Sequence, residues 1–188
     1  EKTGELKFDM IEMGGRVDEE QKSGVLGPYV CDCLQECGRM EKLLGLMRAS
    51  FTELDKGLKG ELSMNPRMEA LVVCFQLDQQ FDGWSKFNFI SQKGLAQWTF
   101  DLQSRCKQLD AWQAEMVVPK VMWVPGTFNP QAFINAVIQS TARKNVLPLD
   151  KMTTNTDVLK KFADEIAAAP RDGSYITGLF IEGGRWDM

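Results

Sequence analysis

Apolar residues in the first half of the chain recur at spacings of three and four, which is the period of an amphipathic helix. The clearest run comprises Cys37, Met40, Leu44, Met47, Phe51, Leu54 and Leu58. Gly27-Pro28 precedes this run, and a proline in the first helical turn loses no hydrogen bond. Gly57 and Gly60 mark its end. The pattern predicts a long helix with a heptad seam, which packs inside its own domain, as we favour, or against a helix of another chain.

The same spacing predicts two more helices. Asn65-Pro66 has the form of a helix start, an N-cap followed by a proline, and residues 93–114 form another long helical pattern. Their apolar positions are Met68, Leu71, Val72 and Phe75, and then Leu95, Trp98, Leu102, Leu109 and Trp112. Residues 81–91 between them are rich in phenylalanine and tryptophan. We interpret this loop as the lid of a core, and a stacking site for bases or sugars is the alternative.

Residues 121–142 carry no charge, in a protein in which 26% of the residues are charged. A membrane-spanning helix needs about 20 predominantly apolar residues. Pro125, Gly126 and Pro130 interrupt this run, so a membrane is excluded as the explanation. The stretch instead fits two elements that meet at a turn.

The first of these elements is a buried strand at residues 121–124. Asn129 then has the position of an N-cap, whose side-chain oxygen accepts from a backbone N–H of the first turn. The helix that Pro130 opens has its apolar positions at Phe133, Ile134, Val137 and Ile138. Arg143 and Lys144 lie in its last turn, where cations suit the helix dipole.

The two ends of the chain are less clearly patterned. Residues 1–27 are polar and predict a linker or a loosely packed lead-in. A short docked segment within it comprises Leu6, Phe8, Met10 and Ile11. Residues 153–158 predict a short strand, residues 159–169 a helix ended by Pro170, and residues 174–181 a strand rich in β-formers.

The predicted fold is therefore mainly α, a helical bundle, with short β-strands near the C-terminal end (α+β). We divide the chain into a lead-in (1–27), a helical part (28–152) and the start of a β-rich part (153–188). A lone strand leaves unpaired edges, so more sheet is expected beyond residue 188. The chain is accordingly expected to be a truncated piece of a longer protein.

Composition and charge narrow the possible functions. The chain has 188 residues and 44% apolar content, enough for one domain with a real core. Its net charge of −4 argues against nucleic acid as the main partner. The five cysteines lack regular spacing, which suggests reduced thiols in the cytosol. A zinc site at Cys31, Cys33 and Cys37 is disfavoured because Cys33 and Cys37 share a helix face while Cys31 points elsewhere.

The chain lacks the motifs of common catalytic sites. It has no phosphate-binding loop of the form GxxxxGK[ST], and without histidine it cannot use Ser-His or Cys-His nucleophilic catalysis. Asp157, Asp164 and Glu165, near Lys160 and Lys161, indicate a solvated face. We therefore predict no catalytic, cofactor-binding or metal-binding residue in this segment.

Several distinctive motifs follow one another along the chain. They are residues 28–30 (PYV) with 33–40 (CLQECGRM), 53–62 (ELDKGLKGEL) with 68–71 (MEAL), 128–133 (FNPQAF), 141–145 (TARKN) with 148–150 (PLD), and 170–175 (PRDGSY) with 178–187 (GLFIEGGRWD). In this order they resemble the C-terminal region of axonemal dynein heavy chains, and the resemblance covers about residues 16–188. The family continues past the Arg185-Trp186-Asp187 motif, which again implies that the chain is truncated.

The resemblance implies a fold that is helical first and β-rich later. It also implies membership of an ATP-driven, minus-end-directed microtubule motor, built on a ring of six AAA+ modules with the sites for ATP and Mg upstream of this region. The C-terminal region lies on one face of that ring, and the role implied for it is structural and regulatory rather than catalytic. On this interpretation the uncharged residues 121–142 form a packing surface between the helical and β-rich parts.

The partners implied are the AAA+ ring of the same heavy chain and, through the whole motor, microtubules and dynein intermediate and light chains. Neither nucleic acid nor a membrane is expected. The localisation implied is the cytoplasm and cytoskeleton, in the axoneme of a cilium or flagellum. The residues alone leave one alternative, a stand-alone helical scaffold that binds a partner through the seam from Cys37 to Leu58.

Overall fold

The computed structural model describes residues 8, 10–22, 27–115 and 117–179. Its helices and strands are, in sequence order, α1 (Met10–Lys22), α2 (Pro28–Leu58), α3 (Pro66–Gln76), α4 (Leu95–Glu115), β1 (Val121–Trp123), α5 (Pro130–Asn145) and β2 (Tyr175–Thr177). Short 3₁₀ turns lie at residues 82–84, 124–126, 149–151 and 163–165. In this part of the chain the fold is mainly α with two short strands, which confirms the predicted class.

Helix α2 runs through the centre of the fold and contacts α1, α3, α4 and α5. Its buried face includes Cys33, Cys37, Met40, Leu43, Leu44, Met47 and Leu54. The predicted seam therefore belongs to the domain's own core, where burial of apolar surface contributes about 25 cal/mol per Å². The prediction is wrong only for the last seam position, because Leu58 is 69% exposed.

The aromatic segment before α4 covers the core, as the lid interpretation predicts. Trp84 and Phe89 both stack on Trp98, with ring centroids 5.7 and 5.4 Å away. The indole N–H of Trp84 is buried and donates to Ser50 Oγ at 3.2 Å. An indole buried with its N–H satisfied packs as a large apolar group at little polar cost.

Both predicted N-caps form. Asn65 Oδ1 accepts from the backbone N–H of Met68 at 2.9 Å, and Asn129 Oδ1 accepts from that of Ala132 at 3.3 Å. A proline follows each cap at the first helical position. These bonds satisfy donors that a helix start leaves without an intrahelical partner.

The strand predicted at residues 174–181 forms as β2 over three of them, and residues 180 and 181 lie outside the described part. β2 pairs in parallel with β1, so Val121, Met122 and Trp123 lie opposite Tyr175, Ile176 and Thr177. The backbone of Trp123 also pairs with the Gln108 side chain of α4, which donates to its C=O at 3.1 Å and accepts from its N–H at 2.9 Å. The small sheet thus joins a strand of the predicted helical part to one of the predicted β-rich part.

The predicted lead-in contains a helix, so the linker interpretation is wrong for residues 10–22. Met13 and Val17 lie one turn apart on α1 and are 3% and 7% exposed. Helix α1 packs them against α2. The sequence pattern missed this helix because few apolar positions mark its buried face and Gly14-Gly15 lowers its helix propensity.

The short docked segment expected near residue 8 is confirmed for Phe8 and Met10 and is wrong for Ile11. Phe8 is 2% exposed, and its backbone N–H donates to Glu41 Oε2 at 3.1 Å. Met10 is partly buried against the core, whereas Ile11 is 88% exposed. Leu6 lies outside the described residues.

Residues 153–158 do not form a strand, and residues 159–169 do not form an α-helix. The apolar side chains of this stretch face solvent, with Val158, Leu159 and Phe162 exposed by 58%, 47% and 77%. Most of the stability of a helix in a protein comes from packing of an apolar face, and this stretch packs none. A helix-forming composition is therefore insufficient here.

Candidate functional site

Two buried carboxylates lie one turn apart on α2. Asp32 is 4% exposed and Glu36 is 1% exposed. Glu36 Oε2 accepts from the backbone N–H of Phe128 at 2.5 Å, and its Oε1 accepts from that of Asn129 at 2.9 Å. A carboxylate at the N-terminus of α5 is favoured by the helix dipole and by these charge-assisted bonds.

Burial raises the pKa of Glu36, and the bonds from Phe128 and Asn129 oppose that rise. Asp32 is different, because neither of its carboxylate oxygens has a hydrogen-bond partner. Burial raises the pKa of Asp32 to about 7; the neighbouring charge of Glu36 adds to the rise and Arg39 opposes it. A buried acid without partners favours its neutral form.

Arg105 of α4 faces the same region and is 7% exposed. Its guanidinium carbon lies 3.8 Å from the ring centroid of Phe89 and 5.5 Å from that of Trp123. Nη1 donates to the backbone C=O of Thr127 at 3.3 Å, whereas Nε is buried without a partner. Burial lowers the pKa of Arg105, and the charges of Asp101 and Glu36 raise it.

An open pocket of about 660 Å³ lies beside this cluster, and we call it the basic pocket. Its lining residues are Arg39, Lys42, Lys86, Phe87, Asn88, Phe89, Ile90, Arg105, Pro125, Thr127, Phe128 and Pro130. The lining combines cations with aromatic and aliphatic side chains and contains no carboxylate. Such a wall offers attraction for an anion and an apolar surface beside it.

The cysteines lie as the helix pattern predicts. Cys33 and Cys37 are fully buried in the core, whereas Cys31 is only partly buried. Hydrogen bonding with Cys33 and burial raise the pKa of Cys37, so its thiol stays protonated. Among the described residues, no group of three or more Cys, Asp or Glu side chains is placed to hold a metal ion. In the same part of the protein, no helix combines the length and apolarity needed to cross a bilayer.

A family model described as the C-terminal domain of the dynein heavy chain matches residues 2–188. The protein belongs to this family. Residues 33–40 are one of the motifs that carried the resemblance in the sequence. In this dynein C-terminal domain, Glu36 of that motif bonds the backbone at the start of α5, and Arg39 lines the basic pocket.

Individual dynein heavy chains are similar to this domain over most of its length. "Dynein axonemal heavy chain 11" of Sus scrofa is 48% identical over 167 residues, which make up 89% of the domain and 4% of that relative. "Dynein beta chain, ciliary" of Heliocidaris crassispina is 46% identical over 181 residues, 96% of the domain and 4% of the relative. "Dynein beta chain, flagellar outer arm" of Chlamydomonas reinhardtii is 42% identical over 180 residues, with the same coverage. The 188 residues therefore span about 4% of the length of these relatives.

The sequence pattern did not reveal the buried charged cluster of this dynein C-terminal domain. Asp32 and Glu36 sit beside the apolar seam at a spacing of four, a position where carboxylates are costly to bury. That spacing was the available signal, but a sequence does not show what faces the helix. Arg105 carried no comparable signal, because its aromatic neighbours come from the lid and from β1.

Proposed function

We propose that this segment is a non-catalytic structural and regulatory element of a dynein heavy chain, in a motor that uses ATP to move toward microtubule minus ends. Its direct partner is the AAA+ ring of the same heavy chain, where ATP and Mg bind. Microtubules and dynein intermediate and light chains are partners of the whole motor. The relatives' names, which include "axonemal", "ciliary" and "flagellar outer arm", support a place in the axoneme of a cilium or flagellum.

The observation that carries this proposal is the central position of α2. This single helix of 31 residues contacts four other helices, and its Glu36 holds the start of α5. Close-packed interiors transmit displacement rather than absorb it, so such a body moves largely as one piece. A stiff body resting on a ring of moving modules alters motion by favouring some ring states over others. Coupling of this kind is typically worth about 1–3 kcal/mol.

The alternative of a stand-alone scaffold gains no support from the seam. From Cys37 to Leu54 the seam side chains are buried or partly buried within the domain. Only Leu58, at the end of α2, is largely exposed. A partner helix has no continuous apolar stripe to pack against on this face.

The test removes the segment from a full heavy chain and measures single-molecule motility beside nucleotide binding. We expect velocity, force or processivity to change while nucleotide still binds at the upstream sites, with any change in its affinity limited to the roughly 5–150-fold that a coupling of about 1–3 kcal/mol allows. Unchanged motility contradicts the regulatory role. Loss of nucleotide binding contradicts it too, since the segment then belongs to the fold of the catalytic ring.

A point variant separates surface contact from folding. Val73 and Leu77, four positions apart at α3, are 47% and 59% exposed, so a lysine at either leaves the core intact. Changed motility with Val73→Lys and Leu77→Lys, but not with Phe100→Lys at an exposed position of α4, supports a contact between this face and the ring. If Val73→Lys and Leu77→Lys leave motility the same as in the unsubstituted motor, this face makes no such contact.

A further inference from the structure

We propose that the basic pocket binds an acidic polypeptide segment, taking up its carboxylates beside an apolar side chain. The pocket lies between α2, the aromatic lid and the start of α5, and its volume of about 660 Å³ falls within the usual range for binding sites. Binding of this kind goes beyond the structural role and does not depend on whether the segment regulates a motor.

Positive charge in the pocket is only partly offset: the carboxylate of Glu36 acts electrostatically on Arg39 and Arg105, and that of Asp101 acts on Arg105. Arg39 and Lys42 lie three positions apart on α2, so they share a helix face, and Lys86 and Arg105 join them in the lining. Among the described residues, none of the four forms an ion pair. A cluster of this kind in a protein of net charge −4 attracts anions toward one place on the surface.

Arg105 is held in place although one of its buried donors, Nε, has no hydrogen-bond partner among the described residues. Stacking on Phe89 and the single bond to the Thr127 C=O fix its planar guanidinium within the wall of the pocket. A guanidinium has five N–H donors, and the buried Nε of Arg105 has no partner in the described structure. A buried charge with unsatisfied donors is costly, and a carboxylate matches the guanidinium fork in geometry and charge.

The start of α5 distinguishes a polypeptide carboxylate from a free phosphate. Phosphates in proteins are commonly held by backbone N–H groups at a helix N-terminus. Here the carboxylate of Glu36 already accepts from the N–H groups of Phe128 and Asn129. What remains is side-chain cations beside apolar surface, including Phe87 and the fully exposed Ile90. Those apolar walls suit a peptide that carries an apolar residue next to its acids.

The experiment measures fluorescence anisotropy of a fluorescein-labelled peptide of alternating glutamate and leucine, titrated with the 188-residue protein. We expect saturable binding that weakens as salt is raised, because exposed charges are screened over about 8–10 Å at ordinary ionic strength. The same peptide with glutamine in place of glutamate should not bind. Equal binding of the two peptides overturns the proposal, because the basic pocket then binds the leucine side chains and not the carboxylates.

Two double variants test whether the peptide's carboxylates bind the cations of the basic pocket or lysines elsewhere on the surface. Arg39→Gln with Lys42→Gln removes two cations from the pocket and should weaken binding about tenfold, the sum of two modest exposed ion pairs. Lys56→Gln with Lys107→Gln makes the same change in net charge at exposed positions outside the pocket and should leave the Kd within about twofold. Circular dichroism melts confirm that both variants fold. Equal weakening by the two pairs overturns the proposal, because the attraction is then a property of the whole surface.

A competition experiment decides the chemical class of the ligand. Inorganic phosphate and ATP are added separately to the protein–peptide complex at matched ionic strength. Under the proposal, neither displaces the peptide more effectively than sodium acetate does. Displacement by phosphate or ATP at concentrations where acetate is inert overturns it and assigns the pocket to a free phosphate.

Discussion

At the scale of single residues, Glu36 and Asn129 together fix the junction between α2 and α5. Asn129 caps α5 through its side chain, while its own backbone N–H donates to Glu36. The two residues are 93 positions apart in sequence, so this junction is a tertiary contact rather than a local motif. Removing the Glu36 carboxylate takes away the acceptor for the N–H groups of Phe128 and Asn129, whereas removing the Asn129 side chain leaves the Ala132 N–H with its backbone bond alone.

The cap can be tested by substitution at residue 129. Asn129→Ala removes the side-chain acceptor for the Ala132 N–H, which keeps only its 3.0 Å bond to the Asn129 C=O, and should lower the free energy of unfolding by about 0.5–2 kcal/mol, whereas Asn129→Ser keeps a side-chain acceptor and should be nearly neutral. Asn129→Asp also caps but places a second carboxylate beside Glu36, so we expect an intermediate cost. Urea unfolding of the three variants measures this order. Identical midpoints for Ala and Ser contradict the cap.

Asp32 predicts an unusual dependence of stability on pH. Its folded-state pKa, about 7, lies above its ordinary value of 3.8, so the folded state binds a proton more tightly than the unfolded state. Its contribution to stability is complete below about pH 4 and is lost as pH rises through about 7. Asp32→Asn removes this term, so the variant's stability relative to wild type should be about 1–3 kcal/mol greater at pH 8 than at pH 5.

The matched control for this measurement is Asp157→Asn, at an exposed position. Urea unfolding at the two pH values should give the same difference from wild type for this control. If Asp32→Asn behaves like Asp157→Asn, the Asp32 carboxyl is paired or solvated in solution and its raised pKa is excluded.

At the scale of secondary-structure elements, Gln108 joins α4 to β1. Its amide donates to the C=O and accepts from the N–H of Trp123, which are the two bonds a neighbouring strand supplies. A three-residue strand paired on one side alone has little to hold it in place. The helix therefore supplies part of the sheet's hydrogen bonding through a side chain.

Gln108→Ala should lower the free energy of unfolding by about 1–3 kcal/mol, because two partly buried backbone groups lose their partners. Hydrogen exchange should show faster exchange of the Trp123 amide in the same variant. Gln103→Ala, on the same helix and without a described hydrogen bond to β1, serves as the control and should cost less than about 0.5 kcal/mol. Equal costs for the two variants contradict this role of Gln108.

At the scale of the whole molecule, the closed core divides the five thiols into two groups. Cys33, Cys37 and Cys106 are fully buried, while Cys31 and Cys74 are partly buried. Burial raises the pKa of Cys106 to about 11, so its thiolate is scarce at neutral pH. Since the thiolate is the reactive form, the three buried cysteines should react with a thiol reagent only as the domain unfolds.

Ellman's reagent at pH 8 should therefore titrate Cys31 and Cys74 first, and all five thiols after unfolding without reductant. Metal analysis of protein purified without added zinc should find far less than one ion per molecule. Five thiols of equal reactivity in the folded protein contradict the closed core. A deficit of two thiols after unfolding indicates a disulfide, and a stoichiometric metal indicates a zinc site.

The sequence by itself determined the elements whose signals are local. The α2 seam, the two Asn-Pro helix starts and the β-rich run near residue 175 depend on residues close together in the sequence, so their spacing was enough to predict them. The motifs that resemble dynein heavy chains were equally readable, and the match over residues 2–188 confirmed the family.

Tertiary structure alone decided what depends on partners distant in sequence. It made α1 a helix by giving Met13 and Val17 a surface to pack against, and it left residues 159–169 without one. It also brought Glu36 to the start of α5 and Arg105 to the lid. A period in the sequence shows which face of an element is apolar, but the free energy of burying a charge depends on which atoms surround it, and only the packed protein supplies those.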